Sequence, residues 1–223
     1  MSRALLLSGG FIELPWAAEY LKGQHFDRIV VADGGIEAAR KLELPAGVLI
    51  GDFDSASEAA QREYEAWLSQ KGISHEKIQL PVKKDVSDTE AALEILLQNP
   101  VEEIIILGGT GTRLDHVLAN VHCLCRALEK GVAACLVDSH NRIQLADSNN
   151  GIQIHKKEQH GRYVSLFPLT TKVTGVYAKG FAYPLEDATL QGGVSLGVSN
   201  EITAEVGTIT VKEGILLVME SRD

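Results

Sequence analysis

The sequence predicts two domains: an α/β domain built on a parallel sheet, then an all-β domain folded as an antiparallel sandwich. Two observations carry this expectation. Up to about residue 147, short continuous apolar runs alternate with stretches of helical periodicity, the repeat that generates a parallel sheet covered by helices. After the turn-rich Asp147-Ser148-Asn149-Asn150-Gly151, the helical period disappears and strand-like runs are broken by glycine turns. The expected domains are therefore 1–147 and 148–223.

In the first half, residues 4–7, 29–32, 48–50, 78–80, 104–107 and 133–137 are expected as strands. Their unbroken apolar character is that of strands buried on both faces. Amphipathic segments at 13–22, 36–42, 58–71, 87–98 and 114–130 supply the helices between them. Ser57 is placed to cap the third helix, and Ser87 with Glu90 three residues later forms a capping-box start for the fourth. In the second half, strands are expected at 164–167, 172–178, 202–206, 208–212 and 215–219, the last two joined through Glu213-Gly214.

Lys and Arg number 21 against 30 Asp and Glu, a net charge of -9 with no basic run, which argues against nucleic acid as a partner. An acidic protein that handles a phosphate anion needs a cation between the two, so clustered carboxylates are the feature to seek. The three cysteines are an odd number without CxxC spacing and read as free thiols in a reducing compartment. The apolar run at 4–7 is too short for a signal-peptide core, and no later run approaches a membrane span. A cytoplasmic location is the expectation.

Three acidic clusters follow expected strands, where open α/β sheets gather their ligands. They are Asp33-Gly34-Gly35, Gly51-Asp52-Phe53-Asp54-Ser55 and Lys84-Asp85-Val86-Ser87-Asp88. In an extended segment Asp52 and Asp54 project the same way, a plausible seat for Mg²⁺ beside substrate phosphates. Taken singly, Asp-x-Asp-Ser is turn and cap chemistry, and Asp85 and Asp88 are carboxylates favoured by a helix dipole. Three such clusters at successive strand ends point instead to a metal or polar-substrate site.

A fourth segment, Leu107-Gly108-Gly109-Thr110-Gly111-Thr112-Arg113-Leu114-Asp115-His116, runs from a strand through a glycine loop into a helix. Amides at such a helix start form an anion site. Arg113, His116 and Asn120 share one helical face and offer a guanidinium, an imidazole and an amide, while Asp115 points elsewhere. Neither GxxxxGKS/GxxxxGKT nor GxGxxG occurs, which excludes a P-loop kinase and an ordinary dinucleotide fold. In the second half, Tyr183-Pro184-Leu185 and Ser199-Asn200-Glu201 combine an aromatic beside a turn with a polar triplet. An aromatic face suits a flat heterocycle or a cation, although hairpin chemistry alone would also explain both segments.

In their order along both halves, these motifs resemble the thiamine pyrophosphokinase family. The resemblance rests on Asp33-Gly34-Gly35, Gly51-Asp52-Phe53-Asp54-Ser55, Lys84-Asp85-Val86-Ser87-Asp88, the Gly-Gly-x-Gly-x-Arg-x-Asp-His run ending at Asn120, and the Tyr183 and Ser199-Asn200 segments. It implies a nucleotide-binding α/β domain, a thiamine-binding β-sandwich domain, and a homodimer with shared active sites. Asp52, Asp54, Asp85 and Asp88 would form the catalytic and phosphate site, with Mg²⁺ on Asp52, Asp54 and Asp85. Asp33, Gly34, Gly109, Arg113, Asp115, His116 and Asn120 would surround ATP, and Tyr183, Ser199 and Asn200 would contact thiamine. Ser87 stands where the family often has threonine and Tyr183 where some members have tryptophan; both keep the class of functional group. The implied reaction is attack of the thiamine hydroxyl on the β-phosphorus of ATP, releasing AMP. A pterin-type pyrophosphokinase is disfavoured by the Tyr183 and Ser199-Asn200 segments. A non-catalytic thiamine- or nucleotide-binding regulator is disfavoured by retention of the acidic positions.

Overall fold

The computed structural model describes residues 2–223. It contains two compact units, Met1–Ser139 and His140–Asp223. The division falls before the turn cluster at 147–151 because Asn141–Ala146, which carries no helical pattern, is a strand that pairs along its length with the final strand of the chain.

The first unit alternates strand and helix throughout. Its elements are β1 (Arg3–Leu7), α1 (Leu14–Leu21), β2 (Arg28–Ala32), α2 (Gly35–Lys41), β3 (Val48–Gly51), α3 (Glu58–Gln70), β4 (Glu76–Gln79), α4 (Asp88–Leu97), β5 (Glu103–Leu107), α5 (Leu114–Glu129) and β6 (Ala133–Val137). The strands pair in parallel in the order β6-β5-β1-β2-β3-β4. From β1 the chain winds outward to β4, then returns to the other side of β1 for β5 and β6. That reversal opens a crevice at the carboxyl ends of β1 and β5, the place where open α/β sheets bind ligands.

The apolar runs bury as their composition requires. In β1, both Leu5 and Leu7 on one face and Ala4 and Leu6 on the other are inaccessible to solvent, and each buried leucine contributes about 1.5–3 kcal/mol. One face packs with Tyr64, Trp67 and Leu68 of α3. Ser57 caps α3 by accepting from Ala60 N at 3.2 Å, and Ser87 caps α4 by accepting from Glu90 N at 3.1 Å. The edge strand β4 departs from the pattern: it begins at Glu76 and is largely exposed, so an apolar reading detects only its end.

The second unit holds β7 (Asn141–Ala146), β8 (Ile152–His155), β9 (Tyr163–Pro168), β10 (Lys172–Lys179), β11 (Leu185–Gln191), β12 (Asn200–Glu201), β13 (Val206–Thr210) and β14 (Leu216–Ser221). Its strands form two antiparallel layers, β12-β9-β14-β7 and β11-β10-β13-β8. Leu166, Leu216 and Val218 from one layer and Val173, Val176 and Ile209 from the other form a single core. The expected strand at 202–206 is mostly irregular. The two strands joined through Glu213-Gly214 are consecutive but not a hairpin, since β13 pairs with β10 and β8 whereas β14 pairs with β7 and β9. Gly214, at φ 90°, sits where the chain passes from one layer to the other.

Candidate active site

The crevice of the first unit contains a cavity of about 590 Å³. Its acidic wall is assembled from three loops. Asp33 follows β2 in the left-handed region, φ 41°, with its amide donating to Ile50 O at 2.9 Å. This aspartate is buried, and its Oδ1 has no hydrogen-bond partner. Asp52 follows β3, and its backbone carbonyl accepts from Gln79 Nε2 at 2.9 Å. Asp88 opens α4. One carboxylate oxygen from each of Asp33, Asp52 and Asp88 lies within 4.8 Å of the others, an arrangement able to hold a metal ion.

Lys84 reaches into this cluster. Its Nζ donates to Asp52 Oδ2 at 2.7 Å and pairs with Asp88 Oδ1 at 3.0 Å. The lysine's hydrogen bond outweighs desolvation and lowers the Asp52 pKa. Asp88 shifts the other way: burial raises its pKa, the charges of Asp52 and Asp33 add to the rise, and Lys84 only partly offsets them. The Lys84 ammonium thus lowers both carboxyls, and the net outcomes differ because at Asp88 desolvation and the neighbouring aspartate charges outweigh it. Burial works against the Lys84 ammonium as well, but its bonds to Asp52 and Asp88 prevail and raise its pKa.

The loop carrying Asp52 and Asp54 is held from behind. Phe53 between them adopts φ 57°, an uncommon conformation for an aromatic residue. Buried Gln61 of α3 secures it, donating through Nε2 to Phe53 O at 3.2 Å and Ala56 O at 2.9 Å. Asp54 is exposed, accepts from Ser55 Oγ at 3.0 Å and lines the cavity without joining the close carboxylate cluster.

Opposite the acids stand two glycine turns. Ser8 N donates to Leu107 O at 2.8 Å and Gly10 N to Gly108 O at 2.9 Å, which ties the loop after β1 to the loop after β5. Gly108 has φ 71°, and a Cβ on Gly10 would collide with the Gly108 carbonyl, so both positions require glycine. Asn120 is buried and donates to Gly109 O at 2.8 Å, which makes it a brace for the glycine loop. Gly34, Gly9 and Ser55 approach one another beside Asp33. Arg113 and His116 are exposed at the cavity rim. On the floor, buried Ser8 and Thr89 share a hydroxyl contact of 2.5 Å.

Of the residues expected from sequence, Asp33, Asp52, Asp54, Asp88, Gly109, Arg113, His116 and Asn120 therefore line one cavity. Gly34, Asp85 and Asp115 do not. Asp85 is exposed on the loop before α4, ahead of the capping turn; Asp115 pairs with Arg113 at 2.6 Å. Arg113 and Asp115 tie each other at the start of α5, raising the pKa of Arg113 and lowering that of Asp115. Sequence reasoning passed over Ser8, Gly9, Gly10, Thr89 and the role of Lys84. The Gly-Gly pair directly after the first strand was the available signal for the first loop.

In the second unit, Tyr183 and Asn200 meet. Asn200 is buried, accepts from Tyr183 N at 3.0 Å and donates to Tyr183 O at 2.7 Å, leaving the Tyr183 side chain 73% exposed. Ser199 has φ 56° and donates its amide to Ser165 Oγ at 3.0 Å.

A switch-point cavity with oxygen ligands on one wall and glycine-loop amides on the other belongs to α/β proteins that handle charged, phosphate-like ligands. Comparison with known proteins narrows this. Residues 21–136 match the family model "Thiamin pyrophosphokinase, catalytic domain" and residues 149–216 match "Thiamin pyrophosphokinase, vitamin B1 binding domain". The chain is 30% identical over 193 residues to Thiamine pyrophosphokinase of Bacillus subtilis (strain 168), covering 85% of this chain and 86% of that protein. The crystal structure of Thiamine pyrophosphokinase from Bacillus subtilis superposes with a TM-score of 0.86 at 28% identity, covering 100% of both chains. That of a Thiamin pyrophosphokinase family protein from Enterococcus faecalis superposes with a TM-score of 0.78 at 30% identity, again covering 100% of both. The chain belongs to the thiamine pyrophosphokinase family.

Proposed function

We propose that this chain transfers a pyrophosphoryl group from ATP to thiamine, giving thiamine diphosphate and AMP. The observation that carries the proposal is the convergence of Asp33, Asp52 and Asp88 opposite two glycine turns in a member of this family. The alcohol oxygen of thiamine forms the new bond to the β-phosphorus as the bond from that phosphorus to the α,β-bridging oxygen breaks. The protein's contribution is orientation and charge compensation.

Mg²⁺ is the proposed cofactor. The donor set is all oxygen, and the buried, unpartnered Asp33 Oδ1 is a ligand atom that a hard cation would satisfy. Asp33, Asp52 and Asp88 are the ligands this geometry favours, in place of the Asp52, Asp54 and Asp85 set expected from sequence. When bound, the ion supplies neutralisation of triphosphate charge. Loop amides around Gly109-Thr110 bind phosphate oxygens, with Arg113 and His116 adding donors at the rim. Asp54, outside the close cluster, is available to take the proton of the attacking hydroxyl.

For the acceptor, we assign Tyr183 as the aromatic face for the thiamine rings. Asn200 acts by positioning, since its Oδ1 and Nδ2 are both engaged with the Tyr183 backbone, and Ser199 lies beside it. We further assign a homodimer in which each active site is completed by the second copy; exposed Leu114 and Leu118 on α5, and Val194, Leu196 and Val198 before β12, support such a covering. Among the described residues no helix is long and apolar enough to cross a membrane, and none of the three cysteines forms a disulfide; a cytoplasmic location is part of the proposal. Incubation with Mg-ATP and thiamine, with products identified by mass, tests the function. AMP with thiamine diphosphate supports it, ADP indicates a simple kinase, and no turnover indicates a binder.

A further inference from the structure

The ammonium of Lys84 occupies the same ground that a divalent cation would claim. It lies 2.7 Å from Asp52 and 3.0 Å from Asp88, with its side chain only 12% exposed. These are two of the three carboxylates gathered within 4.8 Å. This is not a helical surface pair, although Lys84 and Asp88 are four apart: Lys84 precedes α4, in the irregular segment after β4, and joins the β3 loop to the α4 start. Its neighbours Lys83, Asp85 and Val86 are exposed, so the segment is not packed into the core.

We infer that Lys84 is an internal counter-cation that competes with the divalent metal for Asp52 and Asp88, and that metal loading expels its ammonium from the cluster. The inference rests on the reading of Asp33, Asp52 and Asp88 as the metal set. An ammonium donates protons to lone pairs that a metal must take directly, so one oxygen cannot serve both well. Asp33, the member of the cluster that Lys84 does not contact, lets a metal engage before the lysine has left. Two consequences follow. Asp52 and Asp88 are never left uncompensated in the fold, and the apparent metal affinity is set by the fraction of molecules in which Lys84 has withdrawn.

The test uses the unaltered full chain first. Amine acylation with acetic anhydride, read by peptide mass, should rise at Lys84 by about threefold or more when Mg²⁺ is added, as a withdrawn lysine gains solvent. Lys22, already exposed, serves as the unchanged reference. Second, Mn²⁺ titration followed by electron paramagnetic resonance should show Lys84→Met binding roughly tenfold more tightly than wild type, with Lys84→Arg no tighter. Flat or falling Lys84 acylation with Mg²⁺, or unchanged or weaker Mn²⁺ binding by Lys84→Met, overturns the inference. Asp33→Asn separates the two levels. If it leaves Mn²⁺ binding untouched, the metal assignment itself fails; if it abolishes binding while Lys84 acylation in the wild type and Mn²⁺ affinity in Lys84→Met stay unchanged, only the competition fails.

Discussion

Asp33→Asn should make the protein more stable and nearly inactive, and the size of the first effect follows from the cluster geometry. Two unit charges 4.8 Å apart at an effective dielectric constant of about 20 repel by about 3 kcal/mol. Asp33 takes part in two of the three pairs, and Lys84 contacts the other two carboxylates but not this one. After screening by Lys84 and by solvent reaching Asp88, a net gain of about 1–3 kcal/mol remains for the isosteric amide. At about 2–4 °C per kcal/mol for a chain of this length, the midpoint of thermal unfolding without divalent ion should rise by roughly 2–12 °C. The same substitution removes the free ligand oxygen, so turnover should fall by about 100-fold or more and the stabilising effect of added Mg²⁺ should shrink. Scanning calorimetry with and without Mg²⁺, beside the AMP-release assay, reads both. A variant that melts lower than wild type without metal, yet keeps its activity, would refute the electrostatic reasoning for the cluster.

Further consequences follow from the supporting residues. Asn200→Ala strips both backbone groups of Tyr183 of their partner and should cost about 2 kcal/mol or more by urea unfolding; KM for thiamine should rise while KM for ATP holds. Gln61→Leu leaves the carbonyls of Phe53 and Ala56 without donors and releases the φ 57° residue between Asp52 and Asp54, so the Mg²⁺ concentration for half-maximal rate should increase severalfold. Glu220 is buried on β14, and burial raises its pKa against the His160 amide and Arg142. A carboxyl whose folded pKa is raised favours folding fully below its unfolded value and loses that contribution as pH climbs through the folded value. Glu220→Gln should therefore stabilise the protein at neutral pH and flatten the stability change just above pH 4.5, measured as unfolding midpoint against pH; an unchanged profile would show that Glu220 does not govern it.

The parallel sheet was legible because its inner strands are buried on both faces, and continuous β-branched runs such as Ile104–Ile106 between helical segments read as strands. The second unit was harder for the opposite reason. β11, Leu-Glu-Asp-Ala-Thr-Leu-Gln, exposes most of its residues and carries no apolar run, while β12 is two residues long and defined by pairing with β9. The acidic positions were legible as strand-end clusters, but their grouping was not. Which carboxylates meet depends on the spacing of β2 and β3 and on where α4 begins; the capping bond of Ser87 starts the helix at Asp88 and leaves Asp85 outside. No local pattern encodes that convergence.

What separates a reacting residue from a supporting one in this protein is whether its polar atoms are already committed. Asn120, Gln61 and Asn200 are buried amides whose donors are engaged with backbone carbonyls, so they set the shape of loops and have little left for a ligand. Asp33 is buried to the same degree and yet keeps an oxygen without a partner. Burying a carboxyl oxygen without a hydrogen-bond partner is costly, so its presence makes physical sense if a cation satisfies it during the working cycle. Lys84 supplies positive charge to its neighbours and none directly to Asp33. The residual acceptor therefore marks the point in the cluster where an incoming cation gains most, and it identifies Asp33, among all the acidic residues of the cavity, as the one whose neutralisation should separate stability from activity most sharply.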